Sequence, residues 1–227
     1  MSLAAAVGAL LQKELLLERK VPQVVPAMAL FSVVTYVVFH FALQRTSVEG
    51  DLASGVLWVT LLFAAMLGAN RLYVTDHEEG GFDAFLLAPV DRTALLVAKA
   101  IAFLAFLVLV EVVAVFAFAV LLLGPGLSAS EVGQLALVIG LADLGLAVIA
   151  ALVGALAIQT RARDLIQPLI ALPLLMPVVI SAAKATAPLL AASGATALPV
   201  RWLAVLGLYD LVFGLLAYAV FDFLLED

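Results

Sequence analysis

Long apolar segments separated by short polar ones form the pattern of this chain of 227 residues. Six apolar segments each reach about 20 residues, the length of α-helix that crosses a bilayer. They cover residues 24–43, 54–73, 95–122, 132–158, 165–183 and 202–224. Because the strands of a membrane barrel alternate in pieces of about 10 residues, these continuous runs predict an all-α polytopic membrane protein with six transmembrane helices.

Composition supports this class and excludes others. Hydrophobic residues make up 66% of the chain and charged residues only 12%, which is too little charge for the surface of a soluble domain. With short loops throughout, residues 1–227 are predicted to form a single transmembrane domain. The absence of cysteine excludes disulfides and thiolate metal sites, and we predict no metal centre. The third and fourth segments are longer than a bilayer requires, so these helices are expected to tilt or to project from it.

The cations predict the orientation, because lysine and arginine concentrate on the cytoplasmic side of membrane proteins. Eight lie on one side of the segments and three on the other, so both termini and the loop after the second segment are predicted to be cytoplasmic. The eight are Lys13, Arg19, Lys20, Arg71, Arg92, Lys99, Arg161 and Arg163, and the three are Arg45, Lys184 and Arg201.

Residues 1–22 precede the first span and have an amphipathic pattern. Leu3, Val7, Leu10, Leu11 and Leu15 fall on one side of a helix. This pattern predicts an interfacial helix that lies on the membrane surface. The cations of the segment follow its apolar part, which is the reverse of the order in a signal peptide.

The loop at 74–92 is the longest polar interruption, and it contains a second amphipathic pattern. Phe82, Phe85, Leu86 and Pro89 recur at helical spacing, and Gly80 gives a flexible entry. Such a helix can insert its apolar face into a groove of a soluble partner. Four acidic residues would attract a basic surface on that partner: Asp76, Glu78, Glu79 and Asp83.

The chain has no G-x-x-x-x-G-K-[ST] sequence, so hydrolysis of ATP would need another protein. Neither His40 nor His77 belongs to a recognisable catalytic set, and we predict no enzymatic activity. His40 is a candidate contact for haem iron. The alternative for it is an interfacial histidine bonded to water or to a backbone carbonyl.

Three acidic residues fall inside predicted spans: Glu111, Asp143 and Asp210. A charge there costs at least about 2.5–3.5 kcal/mol, so these groups are expected to be protonated, paired or facing water. They could line a polar path for cargo or contact a partner helix; the alternative is protonated carboxyls bonded to Ser, Thr or backbone. Pro173 and Pro177 in the fifth span could add to such a path, because prolines interrupt helices that line transport routes.

Three motifs can be compared with known families. The most specific runs from Gly55-Val56-Leu57-Trp58-Val59 through Arg71-Leu72, Asp76, Gly80, Phe82, Leu86-Leu87 and Pro89 to Val97-Ala98-Lys99. The second is the segment from Leu172 to Pro177, and the third is Lys13-Glu14-Leu15. Together they resemble the haem exporter protein B family, CcmB. Asn70 stands where the family usually has Glu, and Ala-Pro-Val ends the loop where Leu-Pro-Leu is usual.

The resemblance implies an ABC-2-type (type V exporter-like) permease in the bacterial inner membrane, with the 74–92 loop as its coupling helix. It implies a cytoplasmic ATPase partner similar to CcmA, further partners similar to CcmC, CcmD and CcmE, and two copies of the chain in the complex. ATP would act through the ATPase, haem is the candidate cargo, and no cofactor or nucleic acid is expected on this chain.

Three other functions are compatible with the residues. A related permease could carry another lipophilic cargo, and a secondary carrier could use Glu111, Asp143 and Asp210 for protons. A scaffold for haem-handling partners would transport nothing.

Overall fold

Eight helices form the described part of the computed structural model, which covers residues 2–45, 47–78, 80, 81, 85, 91–123, 126–158, 160, 162–191 and 198–224. In chain order they are α1 (Leu3–Lys20), α2 (Val24–Ala42), α3 (Gly50–Ala69), α4 (Val74–Glu78), α5 (Thr93–Leu121), α6 (Ala129–Ile158), α7 (Arg163–Thr186) and α8 (Val200–Leu224). All but α1 and α4 are long and apolar enough to cross a membrane. The prediction of an all-α protein with six spans is therefore confirmed, and the only strand-like pairing in these ranges is an isolated bridge between Val48 and Leu123.

The bounds of the helices differ from the predicted segments mainly at α3. It begins at Gly50 and ends at Ala69, four residues earlier at each end than the apolar pattern indicates. The backbone N–H groups of Arg71 and Leu72 bond three residues back, to Gly68 and Ala69, and these tight bonds end the helix. The segment that follows is a turn, which brings Leu72 and Tyr73 back into the protein. As expected, α5 and α6 are longer than a bilayer needs, with 29 and 30 residues.

α3 and α6 are the most deeply buried spans and form the centre of the bundle. α6 packs against α3, α5, α7 and α8, while α5 packs against α1, α2, α3 and α6. Large apolar side chains on α2, α5 and α8 point outward, among them Phe41, Phe116 and Leu208. Such a surface is suited to lipid, so the exposed apolar residues are consistent with a membrane environment.

α7 is continuous through Pro168, Pro173 and Pro177. Helices in a membrane tolerate proline where neighbours satisfy the backbone groups that it leaves without a partner. The hydroxyl of Tyr209 on α8 donates a hydrogen bond to the carbonyl of Leu174 in this stretch. The prolines thus lie within a span that packs against α6, α8 and α3.

α1 is a helix, as predicted, and it packs against α5. Its buried positions are Ala6 and Glu14. Of the predicted apolar stripe, Leu3 and Leu15 are exposed, whereas Val7, Leu10 and Leu11 are partly buried and Leu10 packs against the core. The stripe is therefore shared between the bundle and the outer surface, and the face that meets the protein includes a charge.

Glycines on α6 test how closely its neighbours approach. A Cβ at Gly154 would lie 2.8 Å from a ring carbon of Tyr73, while one at Gly140 would meet nothing. We expect Gly154→Ala to cost about 1–3 kcal/mol, because the ring would have to move. Gly140→Ala should be neutral or stabilise the helix by up to about 1 kcal/mol. Thermal unfolding of the purified variants in detergent measures both, and equal midpoints for the two would contradict this packing.

Candidate functional site

The ammonium group of Lys99 on α5 is buried among three other segments at the end of the bundle that is rich in cations. Its side chain is only 2% exposed. Nζ donates a hydrogen bond of 2.6 Å to the carbonyl of Leu72 and lies 2.9 Å from Oε1 of Glu14 on α1. It also forms an ion pair with Asp76 on α4. One lysine therefore joins α1, α4, α5 and the turn after α3.

Lys13 completes this group, which we call the Lys99 cluster: Lys13, Glu14, Asp76 and Lys99. Nζ of Lys13 pairs with Asp76 and lies 3.4 Å from Oε1 of Glu14, but its side chain is 46% exposed. Two ammonium groups thus face two carboxylates, and the charges of the cluster sum to zero. Such balance is needed because an unpaired charge that is removed from water is strongly destabilising.

For Asp76 and Lys13, the pKa values show that the attraction between opposite charges exceeds the cost of burying them. Burial alone would raise the pKa of Asp76, but the charges and hydrogen bonds of Lys99 and Lys13 outweigh it and hold this pKa below its ordinary value. Burial would lower the pKa of Lys13, but Asp76 and Glu14 together raise it. Both groups are therefore charged at neutral pH.

Tyr73 connects the cluster to the central helix α6. Its hydroxyl donates a hydrogen bond of 2.9 Å to the carbonyl of Ala151, and its ring rests against Gly154. Nζ of Lys99 lies 5.1 Å from the centre of the same ring, within the range of a cation–π contact. The turn after α3 is thus fixed from both sides.

Further polar contacts surround α4 and the start of α2. Arg163, at the start of α7, lies 3.3 Å from Glu78, at the end of α4. Glu18 of α1 accepts hydrogen bonds from the backbone N–H groups of Val24 and Val25, which caps α2. A cavity of about 590 Å³ lies between these elements, and its lining includes Glu14, Asp76, Lys99, Glu78 and Arg163.

The predicted coupling loop is described only in part. Asp76 belongs to the Lys99 cluster, Glu78 pairs with Arg163, and Gly80 has φ +69°, a left-handed conformation that favours glycine. Phe85 is half-buried and packs against the core of this chain itself. The other residues assigned to the loop lie outside the described ranges: Glu79, Phe82, Asp83, Leu86 and Pro89.

Two of the three intramembrane acids are brought together. Glu111 on α5 and Asp143 on α6 face each other, and both are buried. Asp210 on α8 meets α6 at another place, where its carboxylate would lie 2.7 Å from a Cβ on Gly145. None of the ion pairs among the described residues includes Glu111, Asp143 or Asp210. Pro173 and Pro177 lie on α7. The role of these five residues in a path for cargo stays a prediction.

His40 contacts a backbone carbonyl. Its Nδ1 lies 2.6 Å from the carbonyl oxygen of Leu121, at the end of α5. Since a carbonyl can only accept, Nδ1 carries the proton in this contact, and Nε2 is the nitrogen left for any other partner. The contact matches the alternative in which His40 bonds to a backbone carbonyl, while a role of His40 toward haem stays a prediction.

A model of the CcmB protein family matches residues 5–223, nearly the whole chain. The chain belongs to the CcmB family. It is 34% identical over 152 residues to the Heme exporter protein B of Rhodobacter capsulatus, a match that covers 67% of this chain and 68% of the relative. The protein of the same name from Pseudomonas aeruginosa is 32% identical over 129 residues, or 57% and 56% of the two chains. The one from Bradyrhizobium diazoefficiens is 27% identical over 215 residues, or 94% and 96%.

The four residues of the Lys99 cluster all belong to the sequence motifs that resemble the CcmB family. Lys13 and Glu14 come from one of the sequence motifs, and Asp76 and Lys99 from another. The apolar pattern alone did not predict that these four side chains would meet. A signal was nevertheless present, because a lysine that follows the apolar residues Leu95–Ala98 within a span is costly unless it has a partner.

Removal of Lys99 tests the cluster. Lys99→Met leaves Glu14 and Asp76 close together with only the partly exposed Lys13 to balance them. We expect a loss of about 3–5 kcal/mol, as for other buried pairs that lose one partner. The neutral triple variant Glu14→Gln, Asp76→Asn, Lys99→Met should recover part of this loss.

Lys184→Met is the matched control. Its ion pair with Asp51, at 2.9 Å, has side chains that are 53% and 78% exposed. Loss of an exposed pair costs about 0–1 kcal/mol. Denaturant-induced unfolding in detergent compares the variants, and a Lys99→Met protein as stable as Lys184→Met would show that the buried cluster contributes no special stability.

Proposed function

We propose that this chain is the membrane subunit of an ABC-2-type complex that handles haem during maturation of c-type cytochromes. In this proposal a separate cytoplasmic ATPase supplies the energy, and the chain converts ATP hydrolysis into release or export of haem or of a haem-loaded chaperone. Membership of the CcmB family and the name Heme exporter protein B of its relatives support the haem cargo. The missing nucleotide-binding sequence supports a non-catalytic role.

The attachment of the loop to the bundle is the observation that carries this proposal. α4 opens the loop between α3 and α5, and Asp76 joins it to Lys99 on α5 and to Lys13 on α1. Glu78 joins the other end of α4 to Arg163 on α7. A partner that pushes on the loop would therefore act on three long helices at once.

The physical nature of these contacts suits the transmission of force. To separate Asp76 from Lys99 would leave Asp76 with the partly exposed Lys13 alone and the buried Lys99 with Glu14 alone, which is unfavourable. α4 and α5 are therefore expected to move together. Since α5 also packs on α2, α3 and α6, its displacement would change the packing of the spans.

The partners in this proposal follow from the family. They are an ATPase similar to CcmA, haem-handling membrane proteins similar to CcmC, CcmD and CcmE, a second copy of this chain, and membrane lipid. The complex would lie in the bacterial inner membrane with both termini of this chain in the cytoplasm, as the distribution of lysine and arginine favours.

Phe82→Asp tests whether the loop binds the ATPase. The spacing in the sequence predicts that Phe82 shares the apolar face of the loop with Phe85, and a carboxylate there would oppose insertion into an apolar groove. We expect co-purification of the co-expressed ATPase to fall at least about tenfold, which corresponds to about 1.4 kcal/mol of binding free energy. Phe85 is less suitable, because it packs against the chain's own core and its loss would also disturb the fold.

Phe41→Asp is the control, since Phe41 is an exposed phenylalanine (74%) at the far end of α2. It should retain the ATPase at the wild-type level. Both variants are first compared with wild type by size-exclusion chromatography, so that a loss of folding is recognised. A monodisperse Phe82→Asp protein that still binds the ATPase fully would refute the coupling role of this loop.

A further inference from the structure

Four spans bring polar side chains together far from either end of the bundle. Tyr36 comes from α2, Thr60 from α3, Glu111 from α5 and Asp143 from α6. Their exposed fractions are 0%, 1%, 6% and 0%. Glu111 is 12 residues beyond Lys99, or about 18 Å along α5, and Asp143 lies at the middle of α6. The group therefore lies inside the membrane region.

The carboxyl of Asp143 lacks the donors that a carboxylate requires. Asp143 and Glu111 face each other, and neither oxygen of Asp143 accepts a hydrogen bond from any described residue. The hydroxyl of Tyr36 is directed toward Thr60 and Glu111 and likewise has no hydrogen-bond partner within the described ranges. The hydroxyl of Thr60 is already used, since it donates to the carbonyl of Val56 at 2.7 Å.

Charged groups of the neighbouring helices lie elsewhere. On α5 itself the other charge is Lys99, which has Lys13 and Glu14 of α1 beside it. The other charges of α1 lie in its last turn: Glu18, Arg19 and Lys20. The charges of α7 lie at its two ends, in Arg163, Asp164 and Lys184. Asp51 and His40 lie near the opposite end of the bundle, at the start of α3 and the end of α2. Asp210 of α8 meets α6 at Gly145, two residues from Asp143 and so on a different side of that helix.

Two ionised carboxyls cannot remain together in such a place. Each loses its hydration, they repel each other, and no lysine or arginine of the described residues offsets them. A hydrogen bond between them requires that one carboxyl carry a proton, because ionised carboxylates only accept. Tyr36 can then donate its own hydroxyl hydrogen to the pair.

We propose that Glu111, Asp143 and Tyr36 form a proton-binding site within the membrane, in which the two carboxyls share one proton. The pair spans the contact between α5 and α6, so any movement of one helix along the other changes how well the carboxyls can share that proton. The site does not depend on the proposed coupling to an ATPase, and it can be tested on the purified chain alone.

Modification with dicyclohexylcarbodiimide tests the site, because this apolar reagent adds to protonated carboxyls in membrane proteins. The full chain in lipid nanodiscs is treated over a range of pH, and the modified residues are mapped by mass spectrometry. We expect modification at Glu111 or Asp143, decreasing as the pH rises. The presence of Na⁺ or K⁺ at constant pH should have no effect.

Infrared spectra supply a readout that does not depend on access of the reagent. The C=O stretching band of a protonated carboxyl should be present in the wild-type protein and weaker in the double variant Glu111→Gln, Asp143→Asn. Glu78→Gln is the control, because Glu78 is an exposed acid (63%) and its loss should leave the band unchanged.

Two results would overturn the proposal. If neither carboxyl is modified and the double variant keeps the full band, the pair holds no proton. If Na⁺ or K⁺ protects the pair at constant pH, the site binds a metal cation in place of the proton. Neither result would bear on whether Phe82→Asp releases the ATPase, so the two proposals fail separately.

Discussion

The buried ammonium group of Lys99 is the constraint on which the cation-rich end of this protein depends. An ammonium group that is 2% exposed must have carboxylate partners, and Glu14 and Asp76 supply them from α1 and α4. α1 also packs along α5, with Ala6 buried and Leu10 against the core. The position of α1 and of α4 beside α5 therefore combines apolar packing with a requirement for charge balance.

α5 connects this end of the protein with the membrane interior. It carries Lys99 at one depth and Glu111 at another, about 18 Å further along the helix. The two sites compensate buried charge in different ways. Near the end of the bundle, opposite charges neutralise one another. In the interior, where the described residues offer no cation, the proton of the proposed site reduces the charge of the Glu111–Asp143 pair from −2 to −1.

Family membership and geometry give different information that bears on the loop after α3. The family relates the chain to proteins named Heme exporter protein B, and the geometry shows how the beginning of that loop is attached to three long helices. The half-buried Phe85 modifies the simplest view of an entirely free docking face, because part of the apolar pattern of the loop serves the chain's own core.

The sequence by itself determined the six spans, since a continuous apolar run of about 20 residues has no alternative to a helix in lipid. It also indicated the family and the amphipathic α1. It could not determine that Glu14, Asp76 and Lys99 meet, that Glu111 faces Asp143, or that Asp210 meets α6 elsewhere. The mean hydropathy of a segment does not indicate which face of the helix points to which neighbour. These contacts depend on how each helix is rotated and which neighbour it packs against. Only the tertiary structure fixes that rotation, through the close approach at residues such as Gly154 and the need of each buried charge for a partner.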